Sequence, residues 1–258
     1  RSSAASAGWY PAPVGDVHKP AAGSRGHGGP QHSAIAFLIV ERAVWVMFRY
    51  GSTSAKLSRV IAEKLPLFVT DRAAAAVLAA AFTGFVWSEY KMGMRKPRAG
   101  SSNRDNGSGR AVGRGLVLSY GGGLLLSVIS PATVCTRHRR AVFLTGLATA
   151  TLGQTLRVSA ARTLGESFTF VVHTHPEQLV VRTGPYRFIR HPSYAGALIC
   201  ALGFCIAYGN WLSPVMVTFL AGGYVRRIPS EETAMLEGLG DAYAEYMARS
   251  KRLVPFVF

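Results

Sequence analysis

Charge is scarce in this sequence. Only 16% of its 258 residues are Asp, Glu, Lys or Arg, against roughly 25% in ordinary soluble domains. Acids are scarcest, with 13 Asp plus Glu facing 29 Lys plus Arg for a formal charge of +16. Together with 49% hydrophobic residues and a mean hydropathy of +0.20, this excludes disorder of the whole chain and argues against an ordinary water-soluble enzyme. Cysteine is also thin. Cys135, Cys200 and Cys205 form no CxxC pair, which excludes a disulfide framework and a zinc site, and no other metal-binding pattern is present. Residues 1–33 are rich in Ala, Gly, Ser and Pro and lack the apolar core of a signal peptide, so they read as a disordered tail. The chain opens on Arg1 without an initiator methionine, as expected of a trimmed or incomplete chain.

What is present is a series of nearly charge-free runs. Ala73–Tyr90 contains one charge, Glu89; Leu116–Thr136 contains none; Ala141–Ala161 contains only Arg157; Ala195–Val225 contains none. The last run is interrupted by Gly209, Asn210 and Pro214, turn residues that divide it into two helices folded back as a hairpin. Ala34–Phe48, with Glu41 and Arg42 inside it, reads as a further span or an interfacial helix. At about 20 apolar residues per crossing, the pattern predicts an all-α, polytopic integral membrane bundle of five or six transmembrane helices. Because the basic residues flank the apolar runs, a membrane accounts for them better than a nucleic acid does. A basic segment at 91–115 reads as a disordered loop between the membrane helices of 34–153. The side bearing that loop and the C-terminal tail collects most of the positive charge and is expected to face the cytosol, although the Arg137-His138-Arg139-Arg140 loop opposes this.

Polar residues gather in the last third. In 178–194 the chain reads QLVVRTGPYRFIRHPSY. Thr183-Gly184-Pro185-Tyr186 is a turn, and Pro192 suits the first position of the following helix, with His191 as its cap. Such a helix start beside Arg190 and His191 attracts a carboxylate or phosphate, or else anchors the helix at lipid headgroups. The hairpin returns to Arg226-Arg227-Ile228-Pro229-Ser230-Glu231-Glu232. Two antiparallel helices of similar length must bring this cluster close to Arg190-His191. Arg227 and Glu231 are one helical turn apart, either as a site or as a routine ion pair at the end of a span, and Pro229 could break the helix between them. Leu236, Leu239, Tyr243, Tyr246 and Met247 then trace one face of a cytosolic amphipathic helix, read as packing.

The order GPYRFIRHPSYAG, apolar hairpin, RxxxEE, GxxYxxY and basic-apolar tail resembles the isoprenylcysteine carboxyl methyltransferase family and, more distantly, the related phospholipid methyltransferases. The resemblance covers about Gln154–Phe258, making 154–258 the expected methyltransferase region. It implies an S-adenosylmethionine-dependent carboxyl O-methyltransferase that acts on prenylated CaaX-type proteins or prenylcysteine lipids, in the endoplasmic reticulum membrane with its site toward the cytosol. Carried over residue by residue, the cofactor contacts are Gln178, Leu179, Val180, Val181, Tyr186, His191, Pro192, Ser193, Tyr194 and Glu231. His173 stands near the place of an upstream glutamine contact, with different spacing. Arg227 matches the arginine that orients the substrate carboxylate. The small residues Ala195, Gly196, Ala197, Ala201 and Gly203 are expected to leave room for a prenyl chain. Two other readings stand beside this one. A phosphatidylethanolamine-type N-methyltransferase would gain nothing from a positive carboxylate clamp, and a non-enzymatic membrane protein would bind anionic lipid or nucleic acid through the basic loop.

Overall fold

The computed structural model describes residues 64–94, 102–103, 108–165, 168, 173–174 and 180–254. The expected helix at Ala34–Phe48 and the tail before it lie outside the described residues. Apart from one antiparallel pairing of two-residue strands, β1 (Ser102–Asn103) and β2 (His173–Thr174), the described architecture is helical. In chain order the helices are α1 (Leu67–Thr70), α2 (Arg72–Gly93), α3 (Ser108–Val117), α4 (Gly123–Ile129), α5 (Arg139–Leu164), α6 (Pro192–Ala207), α7 (Val217–Leu239) and α8 (Asp241–Arg249).

Each of the apolar runs becomes a helix. The Asp71 carboxylate opens α2 by accepting from the amides of Ala73 at 2.9 Å and Ala74 at 3.3 Å, which satisfies two of the otherwise orphaned first-turn donors. At the far end Trp87 and Tyr90 stack, with Lys91 over the indole, the residue types that favour a membrane–water boundary. Helices α3 and α4 form one stretch joined by a π turn at Leu118–Gly122. This stretch begins at Ser108, inside the segment expected to be a disordered loop. Glycine at 115 and 223 lets α3 press against α7, since a methyl at Gly115 would sit 2.7 Å from the Leu220 backbone and one at Gly223 3.0 Å from that of Val112. Tertiary packing of this kind supplies what a Gly-rich segment lacks in helix propensity.

The closest helix pair is α5 with α6. Gly146, Ala150 and Gly153 on one meet Gly196, Cys200, Gly203 and Ala207 on the other so tightly that a methyl at Gly203 would lie 2.1 Å from Ala150 N, and one at Gly153 2.3 Å from Cys200 N. The small residues of α6 are therefore consumed by helix–helix contact. This corrects the expectation of a prenyl groove there: Ala197 and Ala201 are core, and the space beside Gly196 and Gly203 is filled by α5. Phe82, Phe85, Tyr120 and Phe204 complete the centre with ring centroids 5.1–5.9 Å apart.

The hairpin turn is locked by Asn210. Its side-chain amide donates to Thr133 Oγ1 at 2.7 Å and Ser130 O at 3.1 Å, and its carbonyl oxygen accepts from Leu212 N at 2.8 Å. Helix α7 continues through Pro229 without breaking. The amphipathic helix expected across Leu236–Met247 is divided at Gly240, whose φ of +56° ends α7 and redirects the chain into α8. By length and composition two stretches can cross a membrane, Arg72–Gly93 and Ser108–Ile129, while α6 is apolar but shorter. Five or six such helices are thus not reached among the described residues. Gln154, Arg157 and several threonines lower the hydropathy of α5, and charges fill the second half of α7.

Candidate active site

The two clusters separated by the hairpin meet at its open end. Pro192 occupies the first position of α6, as expected, and His191 its N-cap, but the His191 ring makes no cap hydrogen bond. It turns instead to Glu232, with Nε2 3.3 Å from Oε1. Arg190 Nε donates to the same oxygen at 2.8 Å, and Arg252 donates to Oε2 through Nε at 3.0 Å. The anion that the Arg190-His191 cluster attracts is therefore a side chain of the returning helix. Glu232 is buried. Burial alone would raise its pKa, yet the bonds from His191, Arg252 and Arg190 outweigh that and hold the carboxyl at about 2.

The same cations close the C-terminal segment over the loop before α6. Arg190 N donates to Lys251 O at 2.7 Å and His191 N to Arg252 O at 3.0 Å, so the tail runs beside Ile189–His191 as an added parallel bridge. Arg190 Nη1 also donates to Met247 O at 3.0 Å and to Ser250 O. Tyr246 Oη donates to Tyr186 O at 2.7 Å, and burial pushes its phenol up to about 12. Tyr186 and Tyr243 are buried beside it, and desolvation first, then the Glu231 charge, raises both phenols well above their usual range.

Tyr194, in the first turn of α6, links the remaining ionic groups. Its hydroxyl donates to Glu231 Oε2 at 2.5 Å and accepts from Arg227 Nε at 2.7 Å. Its ring stacks with those of His191 and Tyr224, with centroids 5.5 and 4.4 Å away. Arg227 is buried, and its Nη1 reaches Ser108 Oγ at 3.5 Å. Arg227 and Glu231 are thus joined through a tyrosine from the other arm of the hairpin.

Of the residues expected to contact a cofactor, Tyr186, His191, Pro192, Ser193, Tyr194 and Glu231 come together here with Arg227. Val180 and Val181 lie half-buried where the chain leads into Gly184–Arg187. His173 lies in β2, paired with Asn103. Gln178 and Leu179 fall outside the described residues. Sequence reasoning did not assign the central carboxylate Glu232, its partner Arg252, or Arg157. Arg157 donates from Nη1 to Ser193 Oγ at 2.8 Å and to Ser193 O at 3.2 Å. The signal that could have found it was its standing as the single charge of its run.

Residues 145–237 match the isoprenylcysteine carboxyl methyltransferase (ICMT) family. The GPYRFIRHPSYAG and RxxxEE motifs lie inside this segment, and GxxYxxY and the C-terminal tail follow it. This segment runs from within α5 through α6 and nearly all of α7, and it carries Ser193, Tyr194, Arg227, Glu231 and Glu232. Over 109 residues the chain is 34% identical to protein-S-isoprenylcysteine O-methyltransferase of Schizosaccharomyces pombe, covering 41% of this chain and 46% of that protein. Over 115 residues it is 36% identical to the probable protein-S-isoprenylcysteine O-methyltransferase of Oryza sativa subsp. indica, covering 43% and 60%. The Homo sapiens protein-S-isoprenylcysteine O-methyltransferase is 30% identical over 116 residues, 44% of this chain and 41% of its own. The chain thus matches about half the length of these relatives. A solved structure titled as the eukaryotic intramembrane Ras methyltransferase ICMT aligns over 88% of this chain and 95% of its own, at a TM-score of 0.40 and 17% identity.

Proposed function

We propose that this chain is a membrane methyltransferase that moves a methyl group from S-adenosylmethionine to the C-terminal carboxylate of a prenylated cysteine, at the cytosolic face of the endoplasmic reticulum. The observation that carries the reading is the Arg227–Tyr194–Glu231 chain: a buried cation and an acid held on either side of one hydroxyl, at the first turn of α6. The O-methyltransferase names of the relatives support the reaction type. The apolar surface left on α2 and on the stretch Ser108–Ile129 supports a membrane setting.

The donor set fits the cofactor. S-adenosylmethionine carries an ammonium, a carboxylate and a sulfonium. Glu231 offers an anion to the ammonium, and the start of the 16-residue α6 offers its positive end to the carboxylate. Because Tyr194 belongs to that first turn and holds Glu231 at 2.5 Å, the two recognition groups lie within one side chain of each other. When bound, the cofactor supplies a methyl already activated on sulfur.

The protein's own task is then positional. A C-terminal carboxylate is ionised at neutral pH, so no residue has to remove a proton. Arg227 holds its charge at any working pH and offers a planar fork to two oxygens. Its Nη1 contact with Ser108 Oγ, at 3.5 Å, is near the limit of a hydrogen bond. Tyr194 ties the arginine to Glu231 and fixes the distance between acceptor and donor ends, the alignment on which an in-line displacement depends.

The test is incubation of membranes containing the full chain with labelled S-adenosylmethionine and N-acetyl-farnesylcysteine, reading base-labile methyl ester. Wild type is expected to form ester and Arg227→Ala to form about 100-fold less, the usual loss when one preorganised donor is removed. Methylation of phosphatidylethanolamine instead would move the reading to the phospholipid enzymes. No product on either acceptor would overturn it.

A further inference from the structure

The two lone charges of the apolar runs find each other. Arg157 Nε donates to Glu89 Oε1 at 2.7 Å and Nη2 to Oε2 at 2.8 Å, a bidentate fork joining α5 to α2 from 68 positions apart in sequence. Both side chains are largely out of solvent, at 8% and 22% exposure. Gln154 Nε2 adds a 3.3 Å bond to Glu89 Oε1. A buried pair of this kind offers little net stability over well-packed apolar residues, and the glycine contacts already hold α5 to α6. What the pair achieves beyond packing is directional. With two nitrogens committed to Glu89, the third, Nη1, is aimed at Ser193 in the first turn of α6.

That aim fixes the chemistry of Ser193. A guanidinium can only donate, so the Ser193 oxygen accepts from Arg157 and its own proton must point elsewhere. Ser193 is 6% exposed, and among the described residues its hydroxyl accepts from Arg157 and makes no hydrogen bond as a donor. The first turn of α6 is pressed close to α5 at this point, since a methyl at Gly196, one turn on, would sit 2.7 Å from Arg157 N. An acceptor is wanted at the cofactor end of the site, and a bound carboxylate is the group of matching charge.

We infer that Arg157, held in place by Glu89, is a positioning residue that presents the Ser193 hydroxyl as a hydrogen-bond donor to the carboxylate of bound S-adenosylmethionine. This rests on the methyltransferase reading above. It adds to that reading a role for two residues on α2 and α5, outside the motifs that suggested it.

The test uses the full chain in membranes, measures equilibrium binding of labelled S-adenosylmethionine without an acceptor, which is expected to weaken in step with KM, and compares KM for S-adenosylmethionine with kcat on N-acetyl-farnesylcysteine. Arg157→Met alone leaves Glu89 buried without its partner, so the informative variant is Glu89→Gln with Arg157→Met, which removes both charges together. Its KM for S-adenosylmethionine is expected to rise about tenfold, the equivalent of one buried hydrogen bond, with kcat within about threefold of wild type. Arg157→Lys, which keeps the charge but lacks the fork, is expected to do the same and serves if the double variant does not accumulate. In a Ser193→Ala background, either change is expected to add less than about twofold, because the effect runs through a hydroxyl already gone.

A wild-type KM in these variants, a fall confined to kcat, or effects that multiply with Ser193→Ala would overturn the inference while leaving the methyltransferase reading intact. Absence of methyl ester from wild type would instead remove that reading, and this inference with it.

Discussion

Glu232 is the residue through which the two arms of the hairpin and the C-terminal tail share a charge. Its carboxyl sits at about 2 in the folded protein, below the ordinary glutamate value near 4.3. A depressed acid contributes stability that is fully present above its unfolded value, and that stability is lost as the pH falls toward the folded one. The window is therefore about pH 4.3 down to about 2. The contribution is on the order of 3 kcal/mol. Glu232→Gln is expected to lower the midpoint of thermal unfolding in detergent at pH 7, since it strands two arginines against each other, and to flatten the pH dependence across that window. An unchanged profile would show that the cluster holds nothing together. At this scale the meeting of the two ionic clusters was legible. Arg190, His191, Tyr194, Arg227 and Glu231 were picked out by spacing and motif, and the hairpin was enough to argue that they meet. The assignment of partners was not legible. Which of two adjacent glutamates turns inward depends on helix phase: Glu232 faces the loop and tail, while Glu231 faces Tyr194.

Helices are where sequence reading and structure part most informatively. Charge-free runs located α2, α5, α6 and the first half of α7, because an apolar run has few alternatives to a buried or lipid-facing helix. Pattern alone could not say what glycine was for. At Gly146, Gly153, Gly196 and Gly203 it is the condition for α5 and α6 to touch along their backbones. The start of α3 at Ser108 was hidden for the same reason, since a segment rich in Gly and Arg has no helical signature until α7 packs against it. The contrast between two glycines tests this. Gly203→Ala places a methyl 2.1 Å from Ala150 N and is expected to destabilise by about 2 kcal/mol or more, as overpacking does. Gly222→Ala, also inside a helix but with nothing within 4 Å, is expected to be neutral or to stabilise by up to about 1 kcal/mol. Thermal unfolding of both variants in the same detergent decides it, and equal effects would count against close packing as the role of these glycines.

For the molecule as a whole the question is what solvent its outer surface meets. Leu144 and Leu152 on α5 are 63% and 70% exposed, and Val77, Leu125, Ile129, Phe219 and Val225 are exposed on the neighbouring helices. In water such a surface would be an aggregation liability; in a bilayer it is the expected exterior. Composition suggested this much, and the one charge within the apolar run of α5, Arg157, is turned inward against Glu89 of α2. Leu152, near the middle of α5, discriminates between the two solvents. In water, Leu152→Lys at an exposed helix position costs almost nothing. At the centre of a bilayer it costs roughly 3 kcal/mol. The variant is therefore expected to lose much of the membrane fraction that resists alkaline carbonate extraction, while Leu152→Phe retains it. Equal retention of Lys and Phe at this position would mean that α5 does not face lipid, and the membrane setting of the proposed methyl transfer would have to be withdrawn.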